Sequence, residues 1–162
     1  NDRVPIGNPT TPEIVYGFGP SFHYKGFDFS FFFQGIAKTS LFMSGLQPFG
    51  TTMDNKNVQT FIAEDHWSPD NQNIFAKYPR LTIERSANNA TTSTYWERDG
   101  AFLKLKNAEI GYTFKSMRFY LRGSNLLTFS KFKLWDPEQG GGNGLKYPTQ
   151  RVFNIGFQMT IK

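Results

Sequence analysis

Side chains able to do acid–base or metal chemistry are few and scattered. Cysteine is absent, which removes thiolate nucleophiles, disulfides and thiolate metal sites together. The two histidines, His23 and His66, lie far apart. His23 and Asp28 flank Lys25-Gly26, and a tight turn there would set them opposite each other like a base and its orienting carboxylate. On paired strands the same couple reads more simply as a contact on a polar face. Glu64, Asp65, His66 and Asp70 crowd together, but their spacing matches no metal motif and reads as an acidic loop. The tract Gly140-Gly141-Gly142-Asn143-Gly144 lacks the Gly-Lys-Ser/Thr ending of a phosphate loop and reads as a flexible connection. No catalytic residue, cofactor or metal ion is therefore expected. Trp67, Tyr95, Trp96 and Trp135 combine flat apolar faces with a polar handle, which suits sugar rings or peptide side chains. The same rings could anchor loops or sit in an interfacial girdle.

What positions these residues is a β pattern. No run approaches the roughly 18 apolar residues that a membrane-spanning helix needs. The chain holds 38% hydrophobic residues, yet 17% are aromatic, 18 of them Phe, punctuated by 15 Gly and 9 Pro. Aromatic residues favour strands, and Gly and Pro interrupt them. The net charge of +5 is spread along the chain rather than gathered in a stripe, so nucleic acid is not an expected partner.

Alternation is sharpest over residues 13–35. Ile14, Tyr16, Phe18, Phe22 and Tyr24 hold even positions, and after Lys25-Gly26 the apolar parity flips to Phe27, Phe29, Phe31 and Phe33. A two-residue turn demands that flip, because it pairs residue i with i+3 on one face. The other face then carries His23, Asp28, Ser30 and Gln34. The design recurs with Ala108, Ile110, Tyr112 and Phe114, the turn Lys115-Ser116, and Met117, Phe119 and Leu121. There the pairing sets Glu109 opposite Arg122, an opposite-charge pair that supports the register. Leu103 and Leu105 have the wrong parity, which predicts either a bulge near Lys106-Asn107 or a strand that leaves the apolar zone there. Phe153, Ile155, Phe157, Met159 and Ile161 alternate in a last strand. The predicted strands are 13–24, 27–35, 102–114, 117–129 and 151–161.

Tight turns alternate with long connections, roughly residues 36–101 and 132–148, the first with a short helix predicted near Asn57–Trp67. Outer-membrane barrels have this asymmetry, with tight turns inside and long loops outside. About ten residues per strand, tilted by about 40°, cover about 25 Å, the height of a barrel's apolar band. Phe18, Phe22, Phe27, Phe29, Phe31, Phe33, Ile110, Tyr112, Phe119, Leu121, Phe153, Ile155 and Phe157 are accordingly expected to face lipid. His23, Asp28, Ser30, Gln34, Glu109 and Arg122 are expected to face the lumen.

The motifs resemble a family. Tyr16-Gly17-Phe18 with Tyr24-Lys25-Gly26-Phe27-Asp28-Phe29 looks like the hairpin near the C-terminus of SusC/RagA-type TonB-linked transporters. His66-Trp67-Ser68-Pro69-Asp70-Asn71, Asp99-Gly100-Ala101-Phe102-Leu103, Leu121-Arg122-Gly123-Ser124-Asn125-Leu126 through Trp135-Asp136-Pro137-Glu138, and Tyr147-Pro148 with Arg151-Val152-Phe153 follow in the same order. The resemblance implies the C-terminal part of a barrel of about 22 strands closed by a plug. It also implies import of glycans or peptides, energised by the TonB complex, with a SusD-type surface lipoprotein as lid. Neither plug nor TonB box is legible in these residues, and the chain opens Asn1-Asp2-Arg3 as a mature or excised fragment would.

The expectation is an all-β, antiparallel transmembrane barrel segment of about five strands with long extracellular loops. It is not an enzyme, it sits in the bacterial outer membrane against lipid, and it meets the barrel-assembly machinery while folding. Two rival readings are a soluble carbohydrate-binding β-sandwich and a partly folded barrel held by that machinery.

Overall fold

The computed structural model describes residues 3–45, 58–82 and 86–161. In chain order the first strands are β1 (Ile14–Phe18), β2 (Ser21–Tyr24), β3 (Phe27–Ala37) and β4 (Ser40–Phe42). After α1 (Thr60–Glu64) and α2 (Ala87–Ala90) come β5 (Glu97–Asp99), β6 (Phe102–Phe114), β7 (Met117–Ser130) and β8 (Val152–Met159). A 6-stranded antiparallel sheet runs β1-β3-β6-β7-β8, with β2 also on β3, and β4 and β5 form a separate 2-stranded sheet. The small sheet lies inside the connection expected to be loop. The helix predicted near Asn57–Trp67 is α1, a single turn with Ile62 buried, and Asn57 itself lies outside the described residues.

Both hairpins have the register that the parity flips require. Tyr24 pairs with Phe27 and His23 with Asp28 around Lys25-Gly26, while Phe114 pairs with Met117 around Lys115-Ser116. Lys25 and Gly26 take φ of 46° and 86°, left-handed values whose twist matches that of the flanking strands. The two turns share one end of the sheet, where the Thr113 N–H donates to the Gly26 carbonyl at 2.7 Å. The predicted strand 13–24 is split at Gly19-Pro20, and both halves pair with β3. Proline brings no N–H to a ladder. Gly19 runs so close to β3 that a Cβ there would stand 2.6 Å from the Phe31 carbonyl oxygen.

Register carries the two-sided pattern across the whole sheet. Phe22, Phe29, Ile110, Leu121 and Ile155 form one row, and Tyr24, Phe27, Tyr112, Phe119 and Phe157 the next. The alternate rows read His23, Asp28, Gly111, Tyr120, Gly156 and Ser21, Ser30, Glu109, Arg122, Asn154. The apolar rows are open to the surroundings: Phe22 is 57% exposed, Phe119 52% and Ile155 89%. The buried core instead lies in the connections, where Leu41, Met43, Ile62, Tyr78, Trp96 and Phe132 cluster. In water this sheet would expose its best hydrophobic surface, far more than a soluble domain leaves uncovered.

A bulge near Lys106 alters the pattern toward the long-loop end. The Phe32–Phe33 step of β3 faces Leu105 to Asn107 in β6, and that stretch faces Ser124 to Leu127 in β7. Each successive strand thus carries one more residue, and Asn125 takes φ of 55° to absorb the excess. This returns Leu103 and Leu105 to the apolar side beside Gly35 and Phe33.

The turn at Lys25-Gly26 yields a test. Replacing Gly26 by Ala forces a side chain into a left-handed backbone and sets a Cβ 2.7 Å from the Thr113 carbonyl oxygen. In denaturant unfolding of the full-length protein in detergent, Gly26→Ala should lose about 1–2 kcal/mol. Lys25→Gly should be neutral or stabilising.

Candidate functional site

The polar face is organised by ion pairs that span strands. Arg118 of β7 reaches across β6 to Asp28 of β3, with Nε donating to Oδ1 at 3.1 Å and Nη2 to Oδ2 at 2.5 Å. The same Nη2 donates to Glu109 Oε1 at 2.6 Å. The pairing is possible because Gly111 lies between them. A Cβ there would meet both Asp28 carboxylate oxygens at 2.6 Å and Arg118 Nη2 at 2.7 Å. The Arg118 guanidinium also stands 5.0 Å from the centre of the Tyr120 ring.

This corrects one pairing. Glu109 and Arg122 are register partners, but Glu109 gives its carboxylate to Arg118. Arg122 instead donates to Asn107 Oδ1 at 3.5 Å, an oxygen that also accepts from Ser124 Oγ at 3.0 Å. Side chains on twisted strands lean along the chain, so a diagonal partner can displace the one directly opposite. His23 stands beside Asp28 in register on β2, and the carboxylate turns to Arg118 on the opposite flank. Ser30 and Gln34 lie on this face with Asp28, and Ser30 shares a row with Glu109 and Arg122.

A second cluster sits at the long-loop end and was not anticipated. Lys104 of β6 is 1% exposed in its side chain and donates to Asp136 at 2.5 Å and to Glu138 at 2.8 Å. Lys106 pairs with the other Glu138 oxygen. The two carboxylates come from a short 3-10 turn, Pro137–Gln139, capped by Asp136, whose Oδ1 accepts from the Glu138 N–H at 3.1 Å. The buried lysine thereby clamps the β7–β8 connection onto the wall. The glycine tract, expected to be flexible, is held as well: Gly142 N–H donates to Phe42 O and Ser44 N–H to Gly142 O, both at 2.9 Å. Glycine is needed for that approach, since a Cβ on Gly141 would stand 2.6 Å from the Phe42 carbonyl oxygen. A cavity of about 580 Å³ opens beside it, bordered by Gln34, Thr39, Ser44, Gly100 and Glu138.

The connection aromatics are engaged within the connections. Trp96 is 6% exposed and donates Nε1–H to Asn89 O at 2.8 Å. Tyr95 donates to Ala76 O at 3.2 Å, and burial pushes its hydroxyl pKa up to about 12. Trp135 donates to Gly140 O at 3.0 Å and packs edge-on against Phe132. Trp67 is half-buried, with its N–H on Tyr78 O at 3.0 Å. In the acidic run, Asp65 pairs with Lys77 at 2.9 Å, which holds its carboxyl below the usual range.

No family model matches the chain. Among curated proteins, TonB-dependent receptor P26 of Formosa agariphila is 29% identical over 99% of the chain. TonB-dependent receptor P3 of the same organism is 32% identical over 98% of it. The chain spans 18% and 17% of their respective lengths. Among solved structures, the RagAB peptide transporter superposes on 95% of the chain, and on 18% of its own, with a TM-score of 0.74 at 24% identity. The RagAB peptide importer in its closed-closed state gives 0.70, also at 24% identity, over 95% of this chain and 18% of its own. Along nearly its whole length the chain is similar to one segment of TonB-dependent receptors, and it shares the fold of a part of the RagAB transporter. It belongs to the outer membrane, and its sheet is part of an antiparallel transmembrane barrel.

The Lys104 loop clamp has a pH signature. Burial opposes ionisation of Asp136 and Glu138, yet hydrogen bonds and attraction from Lys104, joined by Lys106 at Glu138, outweigh it and hold both carboxyls below their ordinary range. A carboxylate with a lowered folded-state pKa stabilises above its unfolded value, and that contribution disappears as pH falls through the lowered one. An environment-sensitive dye on Lys133→Cys should therefore give a constant signal from about pH 8 to about pH 5 and change only below about pH 4. Lys104→Met should remove that transition and leave the connection loose at neutral pH.

Proposed function

We propose that this segment is C-terminal wall of an importer that carries glycans or peptides across the outer membrane. The apolar rows face lipid and the ion-paired rows line the lumen. Transport is driven from the periplasm through TonB, which acts on a plug encoded elsewhere in the receptor, and a SusD-type surface lipoprotein lids the barrel. The segment contributes wall and loops to transport and no catalytic step.

One observation carries this reading: segregation of exposed apolar rows from charged rows, maintained in register across β2, β3, β6, β7 and β8. A soluble β-sandwich would turn those phenylalanines inward against a second sheet. Likeness to TonB-dependent receptors along nearly the whole chain supports the same reading.

Two measurements test it. In bilayer folding of the complete receptor, Phe29→Lys should cost about 2–4 kcal/mol if the residue lies near mid-membrane, and Ser30→Lys much less. Equal costs would sink the assignment of faces. In cells, fluorescent oligopeptides and oligosaccharides should be tried with the receptor gene present or deleted, and with TonB present or absent. Uptake of one class should need both genes. Uptake indifferent to TonB would contradict the proposal.

A further inference from the structure

Charges on the polar face are neutralised almost residue by residue. Arg118 is held between Asp28 and Glu109, Lys104 between Asp136 and Glu138, and Lys106 also meets Glu138. Arg122 stands apart. It is exposed, its register partner Glu109 is committed to Arg118, and its recorded contact is a long one to Asn107. Among the described residues of this face it is the guanidinium that lacks a carboxylate. Apart from Glu109 its neighbours are polar and uncharged: Asn107 and Ser124 on one side, and its partner Asn154 on β8. A guanidinium presents a planar fork of N–H donors that matches a carboxylate two bonds at a time.

We infer that Arg122, flanked by Asn107, Ser124 and Asn154, is a docking point for a carboxylate presented from the lumen. The inference rests on reading this face as the lumen wall. Two sources could supply that chemistry: an acidic residue of the receptor's own plug, or an acidic group of the transported molecule. In both, the carboxylate completes the kind of pairing that Arg118, Lys104 and Lys106 already have.

Chemical footprinting separates the sources. Phenylglyoxal, which modifies accessible guanidinium groups, is applied to the purified full-length receptor, and modification of Arg122 is read by mass spectrometry. If the plug supplies the carboxylate, Arg122 is protected in the intact receptor and reacts once the plug is deleted. In that case Arg122→Gln weakens thermal retention of the plug and Arg122→Lys retains most of it. If the cargo supplies it, Arg122 reacts in the intact receptor and is protected by an oligoglutamate peptide or an oligogalacturonate, but not by an oligoglutamine peptide or a neutral oligosaccharide. Either pattern supports the inference. It is overturned if Arg122 reacts equally with and without the plug and no acidic probe protects it. Footprinting needs no transport, so a receptor that fails the uptake test would refute the importer reading without deciding this one.

Discussion

Inside a hydrocarbon layer no water is available to satisfy a strand's N–H and C=O groups, so paired strands must run unbroken and each must put opposite chemistry on its two faces. The features of this chain follow from that constraint. Phenylalanine at every second position is tolerable only where the odd face meets something apolar, and the even face is then obliged to be polar. Register must be conserved from strand to strand, since a slip of one residue would exchange Phe29 with Ser30 and Ile110 with Glu109. Tight turns at Lys25-Gly26 and Lys115-Ser116 fix it at one end. Across the sheet, the bond from Arg118 over Gly111 to Asp28 ties β7 to β3 and penalises slippage of the strand between them.

The bulge reconciles this requirement with the other end of the sheet. Above it the wall no longer presents only alternating side chains but supports folded connections. Lys106 and Asn107 are brought to the polar side, Lys104 is buried beneath Asp136 and Glu138, and the connection cluster around Ile62, Tyr78 and Trp96 forms a conventional core. The segment therefore has two solvent regimes: a band with its hydrophobic residues outside, and a cap with them inside. The exposed phenylalanines and the buried lysine are consequences of the same change of surroundings along the strands.

Much of this was legible in the sequence wherever the cause was local. The hairpin registers follow from a parity flip at two residues, and the bulge near Lys106 showed itself as a parity error at Leu103 and Leu105. What escaped depends on contacts distant in sequence. Pairing across the turn put Arg122 opposite Glu109, which is true of the backbone. Only the lean of the side chains and the gap at Gly111 give Glu109 to Arg118 instead. The Lys104 clamp joins residues 32 and 34 positions apart, and neither strand alternation nor the motif Trp135-Asp136-Pro137-Glu138 reveals which cation it meets. The glycine tract looked flexible because glycine is permissive. Here its value is the close approach to Phe42. Trp67, Tyr95, Trp96 and Trp135 have ring types that suit a ligand surface or a loop anchor alike, and their ring or backbone groups are engaged inside the connections.

Site-directed spin labelling of the full-length receptor in bilayers tests the central claim most directly. Cysteines placed one at a time from Phe27 to Gln34 report whether each position meets lipid or water, through relaxation by oxygen, which partitions into hydrocarbon, or by a water-soluble nickel chelate. The account predicts period-two alternation. Oxygen should dominate at 27, 29, 31 and 33, the chelate at 28, 30, 32 and 34, and the phases should stay opposed throughout. A flat profile, or one in which the chelate reaches the odd positions as readily as the even ones, would contradict it.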